Sequence, residues 1–205
     1  MAQCEPYTRP VAVLFTRRDS IYKSLPGLDI WDIDRNALLW PGGCPLIAHP
    51  PCRAWGRLRH FAKPVEGEME LAIWAVEQVR RWGGVLEHPA YSLLWSRGGL
   101  PKFGDRDAFG GWTLGISQWW FGHKADKPTW LYIVGCQPSN LQPIPLRLGE
   151  PEFVIQTAKR VNHRPHVSKA DREHTPLALA LWLRDVASRS TVSHSMKSPY
   201  ATGPV

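Results

Sequence analysis

The sequence lacks long apolar runs, paired cysteines and an ample supply of acids, and each shortage removes a class of protein. No stretch of its 205 residues approaches the apolar length of a membrane span, so no membrane partner is expected. Met1 to Val13 shows no cationic region followed by an apolar run, which argues against a secretory leader. Its four cysteines, Cys4, Cys44, Cys52 and Cys136, are widely spaced and form no Cys-x-x-Cys pair. Reduced thiols in a cytoplasmic setting are therefore expected rather than a disulfide framework. His49, His60, His88 and His123 lack the spacing of zinc ligands, so no metal is expected. There is no Walker loop and no Gly-x-Ser-x-Gly elbow.

Acids are the shortest supply: 18 Asp and Glu stand against 25 Lys and Arg, for a net charge of +7 and a pI near 9.5. That balance favours a polyanionic partner, with DNA the natural one. The cations cluster, with Arg53, Arg57, Arg59 and His60 in one group and Lys159, Arg160, His163, Arg164, His166 and Lys169 in another. Trp and Pro, by contrast, are plentiful, at 11 and 19. So many indoles belong in a core or lining a pocket, and so much Pro predicts fixed turns and few long helices.

Short apolar runs at Val11–Phe15, Leu28–Trp31, Cys44–Ala48, Val85-Leu86 and Trp130–Val134 read as strands. Ser20–Leu25 suits a short helix. Met69, Ala72, Ile73, Val76 and Val79 recur at helical spacing and predict a helix over Glu66–Trp82, stopped by Gly83-Gly84. Thr175-Pro176 predicts a capped helix whose apolar face carries Leu179, Ala180, Leu183 and Val186. Residues 96–112 read as Gly-rich loop, and 189–205 as a disordered tail behind a single domain over 1–188. Alternating strands and helices predict an α/β fold with an open, mostly parallel sheet and a site at the carboxyl ends of its strands.

Three polar spots follow predicted strands directly. Asp32 suits a carboxylate that accepts from a ribose diol, although a capping acid is the commoner use of a lone Asp. In His49-Pro50-Pro51-Cys52 two prolines stiffen the loop that holds the thiol, and Arg53, Arg57 and Arg59 follow at once. Such cations would lower the thiol pKa and make Cys52 a nucleophile. The plainer alternative is a small buried apolar side chain. Glu87, at the end of its strand, is expected to have a raised pKa and to donate a proton; the alternative is a structural ion pair with an arginine.

Taken in order, these motifs resemble the carbon-5 cytosine DNA methyltransferases. Trp31-Asp32-Ile33-Asp34-Arg35-Asn36-Ala37-Leu38 resembles the family's second motif, Pro50-Pro51-Cys52 its nucleophile motif, and Glu87-His88-Pro89 its Glu-Asn-Val or Glu-Asn-Pro motif. Leu131–Gly135 resembles the strand closing the next motif, and Phe121-Gly122-His123 with Lys127 and Thr129 is similar to small phage-encoded proteins labelled cytosine methyltransferase-like. The resemblance implies a Rossmann-like methyltransferase fold and a transferase that modifies a pyrimidine in DNA or in a nucleotide. Cys52 would add to carbon 6 and Glu87 would protonate or orient the ring. Phe15, Asp32 and Pro50 would hold S-adenosylmethionine, and Arg53, Arg57, Arg59, His88 and Lys127 would contact the nucleic acid.

Two departures keep an alternative open. The family's Phe-x-Gly-x-Gly motif is matched only at Phe15, which is followed by Thr16-Arg17-Arg18-Asp19. Larger side chains there crowd the cofactor's methionine part, and two arginines suit a phosphate or carboxylate. Residues 136–174 are too few for a full target-recognition domain. The alternative is a non-catalytic DNA-binding or anti-restriction protein on the same fold.

Overall fold

A computed structural model describes residues 10–56, 59–63, 65–155 and 164–192. The strands are β1 (Val11–Thr16), β2 (Leu28–Asp32), β3 (Leu46–Ala48), β4 (Gly84–Pro89), β5 (Trp112–Ser117) and β6 (Pro128–Val134). The α-helices are α1 (Glu68–Trp82), α2 (Leu94–Arg97), α3 (Lys169–Glu173) and α4 (Leu177–Ser188). Short 3-10 turns, including Ile21–Ser24, Ala37–Leu39 and Gln118–Phe121, make most of the remaining connections.

One sheet orders the strands β2-β1-β3-β4-β6-β5. The first four run parallel; β6 runs against both β4 and β5. The sheet is thus mostly parallel but mixed. Strand order reverses between β1 and β3, because β2 lies on one side of β1 and the later strands on the other. In open α/β sheets such a switch point leaves a crevice at the carboxyl ends, where ligands bind.

Alternation along the strands sends apolar side chains to both faces. Leu14, Leu46, Leu86 and Tyr132 pack towards Ala72, Ala75, Val76 and Val79 of α1. Val13, Ile47, Val85 and Ile133 pack towards Leu179, Ala180, Leu183 and Val186 of α4. Seven of the eleven tryptophans are buried, so most of the indole content is core.

The structure changes several sequence expectations. Gln118 and its neighbours are preceded by a strand, β5, that its own apolar pattern did not reveal, since Gly115 interrupts it. The loop expected over 96–112 begins inside a helical turn, Leu94–Arg97, and ends at the first residue of β5. Pro176, not Thr175, is the α4 N-cap residue, and no side chain caps that end. The start of the expected tail is held to the domain: Thr191 N donates to Gly135 O at 3.0 Å, Ser190 is 2 % exposed and Val192 packs against the core on the α1 side. Residues 193–205 lie outside the described residues. Among the described residues no helix is long and apolar enough to cross a membrane.

Candidate functional site

The β3–β4 register brings the site together. Ile47 pairs with Val85. His49 and Glu87 each lie two residues further on, so a period of two keeps both on the same sheet face. There His49 Nδ1 is 2.9 Å from Glu87 Oε2, and His49 Nε2 is 3.0 Å from the Tyr22 hydroxyl. A carboxylate only accepts, so Nδ1 carries the hydrogen; in the neutral ring Nε2 then accepts from Tyr22. Gln118 Nε2 donates to Glu87 Oε1 at 2.9 Å and to Thr129 Oγ1 at 3.1 Å, which fixes the orientation of its amide. Both oxygens of Glu87 are therefore held by neutral or cationic donors.

The electrostatic result corrects the sequence reading of Glu87. Burial pushes its pKa up and is the largest single influence. The His49 hydrogen bond, the Lys127 charge and the two histidines together outweigh burial and hold the pKa at about 2. Glu87 is thus an anion at neutral pH, not a proton donor in waiting. Replacing His49 by Leu should move the Glu87 titration to clearly higher pH, read by carbon NMR of its carboxyl. An unmoved titration would show that Gln118 and Lys127 suffice without His49.

Cys52 is exposed at the tip of the loop after β3. Its thiol pKa is nevertheless raised, first by burial and then by the Glu87 charge, against a lowering by Lys127. Arg53 and Arg59 are not among the chief influences on it. Arg53 is bound to the buried Glu68 carboxylate at 2.6 and 2.9 Å, and Arg59 reaches the Gly56 carbonyl at 3.5 Å. Arg57 lies outside the described residues. Pro50 is buried, and the Trp55 and Gly56 amides both donate to Cys52 O, closing the loop into a tight turn.

His88 points to the opposite sheet face from Glu87. It is fully buried, and neither ring nitrogen makes a hydrogen bond of good geometry, although the Pro51 carbonyl lies near enough to favour a proton. Burial lowers its pKa to about 4, so it sits as a neutral ring beneath the Cys52 loop rather than contacting a ligand.

No family model, curated protein or solved structure matches the chain. The site stands on its own geometry.

The residues that the resemblance gives to S-adenosylmethionine are already engaged. Asp32 Oδ2 takes the Lys23 ammonium at 2.6 Å, and Oδ1 accepts the Asp34 and Arg35 amides at 3.0 and 3.3 Å. The Lys23 bond, chief among these, lowers its pKa. This is the capping role, not an open ribose acceptor. Arg17 binds Asp19 and Glu173, and Arg18 binds Asp34, so the carboxylates that suit these arginines are internal. Phe15 adopts a φ of 61° at a bulge in β1 and packs edge-on against Trp74 at 5.9 Å. The buried Thr16 hydroxyl beside it has no partner. This set does not fit S-adenosylmethionine held through Asp32. Among the described residues no group of three or more His, Cys, Asp and Glu side chains is arranged to hold a metal ion.

Sequence reasoning missed Tyr22 and Gln118, gave Thr129 only as part of a resemblance, and treated His49 as part of a loop motif. For His49 a signal existed: it lies as far beyond Ile47 as Glu87 lies beyond Val85. Gln118 carried none, because β5 itself was not legible.

Proposed function

We propose that the protein is a DNA or nucleotide pyrimidine-modifying enzyme, with the chemistry of a carbon-5 cytosine methyltransferase-like transferase, in which Cys52 is the nucleophile and Glu87 the ring-edge anion. The observation that carries this reading is the neighbourhood of the exposed residue Cys52, the Glu87 carboxylate held at both oxygens by His49 and Gln118, and the Lys127 charge at the carboxyl edge of the sheet. The Cys52 thiolate would add to carbon 6, and the ring's electron pair would move to carbon 5. Glu87 would favour the ring protonated at nitrogen 3, since an anion at that edge stabilises the cation.

This arrangement couples binding to activation. In the free protein the Glu87 charge helps keep Cys52 a thiol. A base that brings a positive edge to Glu87 neutralises that charge and lets the thiol ionise. Unproductive thiolate chemistry is suppressed until a ring is in place.

Addition at carbon 6 makes carbon 5 basic, so a proton from solvent can enter there and the original hydrogen can leave when Cys52 is expelled. Incubation in heavy water with cytosine-containing oligonucleotides should therefore exchange the carbon-5 hydrogen with no methyl donor added. Cys52→Ser should abolish exchange, while Cys44→Ser and Cys136→Ser should not. Exchange that survives Cys52→Ser refutes the assignment. The engaged Asp32 and Arg17-Arg18 favour a second reading, a non-catalytic DNA-binding or anti-restriction protein on this fold. Nucleic-acid binding without exchange would select it.

A further inference from the structure

Gln118 is a buried amide whose hydrogen-bonding capacity is only partly used. It opens the 3-10 turn that follows β5 and is 0 % exposed. Its Nε2 donates to Glu87 Oε1 and Thr129 Oγ1, whereas its buried Oε1 accepts no hydrogen bond among the described residues. Turning the amide over brings no gain. Oε1 would then face the Glu87 carboxylate, and the group left without a partner would be a donor. A buried acceptor without a partner is destabilising, and a methionine of nearly the same length carries none. Packing therefore does not account for an amide at this position; its donors do.

The same residue fixes the Lys127 turn. Gln118 N donates to Lys127 O at 3.1 Å. Thr129 Oγ1, which accepts from the Gln118 side chain, donates to that same carbonyl at 3.0 Å. Main chain and side chain of one residue thus join the segment bearing Lys127 to the Glu87 carboxylate on β4. These two charges act in opposite senses on Cys52, Glu87 opposing the thiolate and Lys127 favouring it. Their balance depends on where each is held, because charge interactions in a low-dielectric site are strong and change with distance.

We propose that Gln118 is a positioning residue for the reaction at Cys52: it aims the Glu87 carboxylate at the incoming ring and holds it in a set relation to Lys127. The inference rests on the pyrimidine-modifying reading for what Glu87 meets, but the hold on Glu87 can be read without any substrate. Fully enclosed, Gln118 acts through Glu87 and not on the base itself. The unpartnered Oε1 is the cost in stability of keeping a donor at that spot.

The full chain carrying Gln118→Met or Gln118→Glu tests this, with folding checked by circular dichroism. In Gln118→Met the carbon NMR titration of the Glu87 carboxyl should move to higher pH, because one donor to the anion is gone. Carbon-5 exchange on a cytosine-containing oligonucleotide should lose about tenfold or more in kcat while KM stays within about twofold. One hydrogen bond to a charged group implies an effect of that size. Gln118→Glu supplies a donor only while the introduced carboxyl keeps its proton. The other charged and titratable groups of this neighbourhood are Glu87, His88, His49, Tyr22, Cys52, His123, Asp126 and Lys127, and none is altered. Exchange by Gln118→Glu should therefore come closest to the parent's in acid and fall away from it as pH rises. An unmoved Glu87 titration, a loss confined to KM, a kcat within about twofold of the parent's, or a Gln118→Glu deficit equal at every pH would overturn the proposal. If Gln118→Met does not fold, the pH dependence of Gln118→Glu decides. Absence of exchange in the unaltered protein would defeat the enzyme reading and leave the Glu87 titration to decide the positioning by itself.

Discussion

Gly84→Ala should come close to abolishing folding. Gly84 opens β4 with φ 119°, and a Cβ there would lie 1.9 Å from the Leu46 carbonyl oxygen, with Leu46 N and C also under 3 Å. The obstruction is backbone of the neighbouring central strand, which cannot rotate aside as a side chain can. Either the β3–β4 pairing opens or the positive φ is lost, and the same pairing positions His49 against Glu87. A cost above about 4 kcal/mol is expected. For a domain of this size that corresponds to a Tm drop of at least about 8–16 °C. Thermal denaturation followed by circular dichroism reads it. A variant that melts within a few degrees of the parent would mean that the β3–β4 junction relaxes freely.

Acid should weaken the fold in two separable steps. His88 has a folded pKa of about 4 against 6.5 for a free ring. Between those values the unfolded chain binds a proton that the folded chain refuses, so stability falls as pH drops from 6.5 to 4. The loss is about 3 kcal/mol. Glu87 acts in the same sense over a lower window, with a folded pKa of about 2 against 4.5. Its contribution is complete above pH 4.5 and disappears as pH falls towards 2, by a similar amount of about 3 kcal/mol. His123, also lowered by burial, shares the upper window. His88→Leu should therefore flatten much of the denaturant midpoint's decline between pH 6.5 and 4.5 while sparing the decline below. A decline of unchanged steepness in the variant would place the acid sensitivity elsewhere.

Much of the scaffold was legible because burial writes itself into periodicity. The α1 and α4 stripes were read correctly, since Ala72, Val76 and Val79 on one helix and Leu179, Leu183 and Val186 on the other repeat at helical spacing. The parallel strands up to β4 announced themselves as short apolar runs ended by polar residues. The β5 strand did not, because Gly115 breaks the run for the sake of Phe103, a partner distant in sequence. Among the site residues, Cys52 and Glu87 were visible as strand-end polar groups. Their charge states were not. Whether Glu87 is acid or anion depends on His49, Gln118 and Lys127 arriving from three separate segments, and composition near residue 87 carries no trace of them. Arg53 shows the converse: a cation beside a thiol reads as an activator until Glu68, fifteen residues on, is found holding it.

The reversed strand β6 sets the order in which the sheet can be assembled. β1 to β4 find their neighbours within the first 89 residues, but β5 pairs with nothing except β6, which follows it. On a growing chain β5 has no place to dock until residue 134 has emerged, and the free edge of β4 stays open meanwhile. The β5–β6 hairpin then closes that edge in one event through six paired positions, Gly84↔Val134 to Pro89↔Thr129. A chain interrupted before β6 presents the bare edge of a Val- and Leu-bearing strand, the template on which strands of other molecules add. Synthesis of this protein therefore has a vulnerable interval, roughly the forty-five residues between the end of β4 and the end of β6, in which aggregation competes with completion.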